Sequence, residues 1–220
     1  MARPPVEPPR KLTFRRLSGL DRSGPPPPQT RAGEPLHPWT IPNAIGYVRL
    51  ALIPVFVVLA LSSDSGTDAL PVIIFAVIGW SDYLDGIAAR VTGQYSRMGT
   101  LLDPLVDRLL VLSGVIVCWH FELLPRWGLA LLALREVLML ILVRVAMVKH
   151  VDLPVNWLGR AGVFPVFGAL FFGMAGVGWL AHALLYVGLV LIFGSLALYV
   201  RDGLRQYRAI GGQRGAEPSS

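Results

Sequence analysis

Charge is scarce in this chain. Only 15% of its 220 residues are Asp, Glu, Lys or Arg, against 54% hydrophobic, and the mean hydropathy is +0.57. A water-soluble domain needs a more polar surface, so the composition points instead to a chain that crosses a bilayer repeatedly. Cysteine is scarcer still. The one example, Cys118, lies in an apolar run; an intrachain disulfide is excluded, and a small apolar filler is the plain reading. The four histidines show no metal-ligand spacing. Nothing before the first long apolar run resembles the apolar core of a signal peptide, so neither cleavage nor export is expected. No fixed-period repeat is present.

What charge there is leans positive, with a formal net charge of +6 and a pI of about 10.0. In a membrane protein this excess speaks of loop orientation and anionic headgroups, and no nucleic-acid partner is expected. Residues 1–39 are rich in Pro, Arg and Gly, including the proline run 25–28. Such a segment buries too little apolar surface to fold alone and is expected to be a disordered cytoplasmic tail. Six apolar runs follow at about 41–62, 69–90, 99–120, 125–149, 158–178 and 181–201, each near the roughly 20 residues that span a hydrocarbon core. Residues 62–68 and 178–182 read as turns.

The expected architecture is all-α: a membrane domain of six transmembrane helices over 40–205, then a flexible C-terminal tail at 206–220. Arginine and lysine crowd the N-terminal tail, the second and fourth connections (Arg90, Arg97, Lys149, Arg160) and the C-terminal end (Arg201, Arg205, Arg208, Arg214). The other connections carry little positive charge, so both termini are expected in the cytoplasm of a multi-pass plasma-membrane protein.

The most informative stretch is 82–107, D-Y-L-D-G-I-A-A-R-V-T-G-Q-Y-S-R-M-G-T-L-L-D-P-L-V-D. Asp82 and Asp85 are spaced i,i+3, and Asp103 and Asp107 i,i+4, so each pair shares a helix face. Four carboxylates at the ends of apolar segments repel unless they are protonated or neutralised by cations. Hard oxygen donors without sulfur or histidine point to Mg²⁺ or Mn²⁺, two ions for four acids. The structural alternative pairs the acids with Arg90 and Arg108.

The pattern D-x2-D-G-x2-A-R-x8-G-x3-D-x3-D, at Asp82, Asp85, Gly86, Ala89, Arg90, Gly99, Asp103 and Asp107, resembles the signature of the CDP-alcohol phosphotransferases. The resemblance covers the six-span region and not the proline-rich tail. It implies an enzyme that moves a substituted phosphate from a CDP-linked donor to an alcohol and releases CMP. It also implies metal ligation by Asp82, Asp85, Asp103 and Asp107, with Asp107 as the base. Gly86 and Ala89 then leave room for the nucleotide, Arg90 meets the donor's phosphate, and Ser96 contacts the donor. The segment Pro42-Asn43-Ala-Ile-Gly46-Tyr-Val-Arg49 resembles the family's P-N-x-L-T-x-x-R entry to the first span. By that resemblance Asn43 reaches the donor, CDP-diacylglycerol, while Gly46 stands where threonine is usual. Arg49, in an otherwise apolar helix, is expected to pair with a buried acid or a headgroup.

For the acceptor, Arg135 and Arg160 suit the phosphate of a small phosphorylated alcohol such as glycerol 3-phosphate. Arg135 is equally placed to pair locally with a carboxylate. Arg160 resembles a Gly-Lys position of bacterial phosphatidylglycerophosphate synthases, and that activity is the leading expectation. A cardiolipin synthase using phosphatidylglycerol is the alternative within the family, and a cation-coupled transporter the alternative outside it. The resemblance further implies a homodimer formed through the membrane helices.

Overall fold

The computed structural model describes residues 37–92, 94, 96–149 and 157–214. Nearly all of the N-terminal tail, and the last six residues of the C-terminal one, lie outside them. Within the described residues the chain is all helical: α1 (Ile41–Leu61), α2 (Ala69–Thr92), α3 (Arg97–His120), α4 (Arg126–Lys149), α5 (Trp157–Met174) and α6 (Gly178–Arg214). A helix closes its own backbone hydrogen bonds, which is what a chain in hydrocarbon requires.

Three of the helices are long and apolar enough to cross a membrane, at Ile41–Leu61, Ala69–Ala89 and Gly178–Leu198. Charge sets the others apart. Arg97, Asp103, Asp107 and Arg108 interrupt the first half of α3, and Arg126, Arg135, Glu136, Arg144 and Lys149 punctuate α4. The helix α5 is 18 residues long, with Arg160 in its first turn.

Two boundaries differ from the sequence expectation. The turn foreseen at 178–182 lies earlier, at residues 175–177. Gly176 there has φ +77°, Val177 N–H bonds the Phe172 carbonyl at 2.9 Å, and Gly176 N–H bonds the Gly173 carbonyl at 3.2 Å. That pair of bonds is a Schellman ending, in which a glycine takes the left-handed position, so the helix stops where its carbonyls are satisfied. Gly178 then opens α6. At its other end α6 continues to Arg214, beyond the apolar run and into the segment expected as a tail.

The described residues divide into two compact units, one formed by those up to 54 with those of 77–107, the other by 55–76 with those from 108 onward. The second holds most of the buried apolar side chains, including Phe56, Phe75, Leu129, Leu170, Met174 and Leu185. Phe75 is central in it, tilted against Phe56 at 5.2 Å and stacked on Phe167 at 4.8 Å. Cys118 is buried there, as a filler should be. Close approach of α5 and α6 depends on glycine: a Cβ on Gly188 would sit 3.1 Å from the Val166 backbone nitrogen.

The first unit carries the acidic motif. In it α1 meets α3 closely at Gly46, where an added Cβ would fall 2.5 Å from Leu102 Cδ2. Leu102 is buried and fills the space that a threonine side chain at position 46 would need.

Candidate active site

The start of α1 is held by residues far along the chain. The first four N–H positions at a helix start lack intrahelical partners, and here they include Ile41, Pro42 and Asn43. Here Ile41 N–H goes to Gln94 Oε1 at 3.0 Å, Pro42 has none to satisfy, and Asn43 N–H faces Thr40 Oγ1 at 3.4 Å. Gln94 belongs to the short connection between α2 and α3, so that connection is tied to the first turn of α1.

Asn43 strengthens the tie. Its side chain is buried, and Nδ2 donates to the carbonyls of His37 and Pro38, both at 3.0 Å. Its Oδ1 accepts the Ser96 hydroxyl at 2.9 Å. Ser96 is also the N-cap of α3, its Oγ accepting Gly99 N–H at 3.0 Å. A Cβ on Gly99 would lie 2.9 Å from Asn43 Oδ1 and 3.3 Å from Ser96 Oγ. The motif glycine is therefore where the Asn43–Ser96 bond passes over the helix.

Two turns further along α1, Arg49 is 1% exposed. All three of its nitrogens are engaged. Nε donates to the Ile78 carbonyl at 3.2 Å, one terminal nitrogen to Asp82 Oδ1 at 3.1 Å and the other to Asp107 Oδ1 at 2.9 Å. Asp82 opens the acidic motif on α2 and Asp107 closes it on α3, and one guanidinium makes them converge. The expectation of an acid partner for Arg49 is met, and among the described bonds both Asp82 and Asp107 fill that place. Their carboxylates are not themselves buried: the Asp82 and Asp107 side chains are 49% and 52% exposed, which leaves oxygen surface open to a ligand.

The fit of these residues to a divalent cation can be judged from that pair. Carboxylate oxygens suit Mg²⁺ or Mn²⁺, and two of the four expected ligands already converge with surface to spare. Asp103 lies one turn before Asp107 on the same face of α3. The Asp85 side chain lies outside the described residues, and among those described no three acidic, histidine or cysteine side chains form a metal-sized group. Gly86 and Ala89 follow on α2; the Arg90 side chain, like that of Arg160, lies outside the described set.

Arg135 belongs to the second unit. It bonds its neighbour Glu136, whose other oxygen faces Arg108 Nε at 3.6 Å. Side-chain exposures of 12% for Arg135 and 11% for Glu136 make this a largely buried cluster of two arginines and one acid. The local-pairing reading of Arg135 is what the structure shows, and Arg108 points to a glutamate. Sequence reasoning missed Gln94 and the anchoring of Asn43 on two carbonyls. A glutamine in a four-residue connection carries no distinctive signal. For Asn43 the hint was its place three residues into a helix whose second residue is proline.

Comparison with known proteins identifies the family. Over 148 residues the chain is 38% identical to a cardiolipin synthase (CMP-forming) of Streptomyces coelicolor, covering 64% of this chain and 69% of that one. A putative cardiolipin synthase of Mycobacterium bovis is 33% identical over 165 residues, 73% of this chain and 78% of the relative. The CDP-diacylglycerol--glycerol-3-phosphate 3-phosphatidyltransferase of Bacillus subtilis is 33% identical over 110 residues, 44% of this chain and 57% of the relative. Residues 39–194 match the profile of the CDP-alcohol phosphatidyltransferases, a stretch that holds every motif residue described above, and the chain is an enzyme that belongs to that family.

Proposed function

We propose that this protein transfers the phosphatidyl group of CDP-diacylglycerol to a hydroxyl of phosphatidylglycerol, forming cardiolipin and releasing CMP. The observation that carries the transfer is the convergence of Asp82 and Asp107 on Arg49 inside the family domain. The acceptor hydroxyl oxygen forms a bond to the phosphatidyl phosphorus while the bond from that phosphorus to the bridging oxygen breaks. CMP leaves with the electron pair. Asp107, half-exposed beside the metal-type acids, takes the hydroxyl proton. Asp82, Asp85, Asp103 and Asp107 would hold two divalent cations, which would supply charge neutralisation for the pyrophosphate. Arg90 is assigned to the donor's phosphate and Gly86 to the space for its nucleotide. Asn43 and Ser96 shape the donor side of the site through their mutual bond, and contact CDP-diacylglycerol with what bonding capacity remains.

The sequence alone favours glycerol 3-phosphate as acceptor. Two observations move the choice. The cardiolipin synthase relatives of Streptomyces coelicolor and Mycobacterium bovis cover more of the chain than the Bacillus subtilis relative does. Arg135, one of the two arginines assigned to a free phosphate, is already paired with Glu136. Glycerol 3-phosphate remains the second reading, favoured by the positive balance of the Arg108–Glu136–Arg135 cluster. Arg160 belongs to that reading.

The protein is assigned to the plasma membrane as six spans, with both termini and the acids on the cytoplasmic side. The distribution of Arg and Lys among the connections supports this placement. A homodimer is part of the same proposal. The deciding experiment supplies purified protein and Mn²⁺ with CDP-diacylglycerol and offers labelled phosphatidylglycerol and glycerol 3-phosphate in parallel. Label entering cardiolipin supports the proposal, and label entering phosphatidylglycerophosphate transfers it to the second reading.

A further inference from the structure

We infer that Arg49 is a positioning residue, the internal counter-ion that holds Asp82 and Asp107 convergent before any cation or donor arrives. The inference deepens the proposed function and rests on it. It starts from an electrostatic problem. Two carboxylates on neighbouring helices, next to two more acids and an apolar surround, would drive those helices apart. A guanidinium solves this in a way an ammonium cannot, since its planar fork offers separate donors in fixed directions. In this structure each direction has its own acceptor: Ile78 carbonyl, Asp82 and Asp107 at 3.2, 3.1 and 2.9 Å.

The burial is as telling as the bonds. Arg49 is 1% exposed, whereas the acids it holds are 49% and 52% exposed. The buried cation bonds Oδ1 of each carboxylate, while about half of each acid's side-chain surface stays exposed. Substrate therefore has no route to Arg49 through its buried face, and its influence on transfer passes through the two aspartates. The bond to Ile78, one turn before Asp82, fixes the arginine to the backbone of α2 as well. Convergence is thus set by a side chain on α1, a helix that carries none of the acids.

The test separates geometry from charge. Arg49→Lys keeps the charge but loses the fork, so it cannot serve all three acceptors. In detergent, with Mn²⁺ affinity read by calorimetry or electron paramagnetic resonance, this variant should bind Mn²⁺ about tenfold more weakly. Its kcat should fall tenfold or more, with the KM for CDP-diacylglycerol within about threefold of wild type. Arg49→Gln removes the charge and should lower the chelated protein's Tm. Adding Asp82→Asn, which keeps an oxygen for hydrogen bonding but removes one acid, should recover at least half of that loss.

Folded Arg49→Lys with unchanged Mn²⁺ affinity and kcat overturns the inference and leaves Arg49 a tie between helices. If Arg49→Lys does not fold, the suppression arm decides. A double variant no more stable than Arg49→Gln overturns the counter-ion role, and recovery upholds it. The wild-type arm keeps the two claims apart. Wild-type protein that binds no Mn²⁺ and releases no CMP contradicts the proposed function itself, whereas wild-type activity with an indifferent Arg49→Lys contradicts only the inference.

Discussion

Ser96 donates its hydroxyl to Asn43 Oδ1 at 2.9 Å, joining residues 53 positions apart. The bond lies over Gly99, whose missing side chain leaves the room it needs. Gly99→Ala should therefore lower stability by about 1–3 kcal/mol, through overpacking and a displaced buried hydrogen bond. Thermal unfolding in detergent checks this, and a variant as stable as wild type would show that the joint has slack. Ser96→Ala removes both the N-cap of α3 and the partner of Asn43, for an expected loss of about 1–2 kcal/mol.

Asp107→Asn is expected to abolish CMP release while CDP-diacylglycerol binding stays measurable. The amide can still accept from Arg49 through its oxygen, but it is not a base. Asp82→Ala should instead weaken metal and donor binding together, because it removes a ligand. Turnover near wild type in metal-loaded Asp107→Asn would exclude it as the base.

Glu136 is the shared acid between Arg108 and Arg135. Replacing it with Gln leaves two arginines without their counter-charge in a largely buried place, at a cost of about 2–3 kcal/mol given the partial exposure of Arg108. Unfolding of Glu136→Gln in detergent measures it. For the acceptor, Arg135→Gln should change the apparent KM for phosphatidylglycerol by less than about threefold. Under the glycerol 3-phosphate reading, a lost charge-assisted contact of about 1.5–3 kcal/mol raises that substrate's KM roughly ten- to hundred-fold.

Glu122 ends α3 in the left-handed region, with φ 55°, and Leu123 N–H bonds the Cys118 carbonyl at 3.0 Å. Glycine is better suited to that position. Glu122→Gly should stabilise the protein by about 0.5–1 kcal/mol, even after losing the exposed ion pair with Arg126. A lower Tm for this variant would mean that the ion pair outweighs the backbone strain.

The helices were legible because their signal is one of composition: each follows an apolar stretch bounded by prolines, glycines or charges, although only three of the described helices are long and apolar enough to cross a membrane. The turn at Gly176 was misplaced because Gly176 and Gly178 are both plausible helix stops, and only the hydrogen bonds to Phe172 and Gly173 separate them. The acids were legible from spacing along α2 and α3. What spacing within one helix cannot give is which residue of another helix faces them. Arg49 was recognisable as a buried cation in need of an acid; that it takes one acid from each end of the motif depends on how α1 lies against α2 and α3. Arg135 shows the opposite case, since its partner is its sequence neighbour and the pairing was open to view.

Dependence on Mg²⁺ or Mn²⁺ is expected, with Ca²⁺ supporting little activity, because the larger ion accepts oxygen ligands in looser geometry. Full activity after exhaustive chelation would remove the metal from the account.

The central claim is phosphatidyl transfer at the Asp82–Asp107 pair. It is tested most directly by CMP release from CDP-diacylglycerol in phosphatidylglycerol-containing micelles with Mn²⁺, comparing wild type with Asp107→Asn. The account expects CMP and cardiolipin to appear in equal amounts with the wild type, and neither with a folded Asp107→Asn. Wild-type protein that forms no CMP in these micelles, or an Asp107→Asn variant that forms it as fast, would contradict the claim.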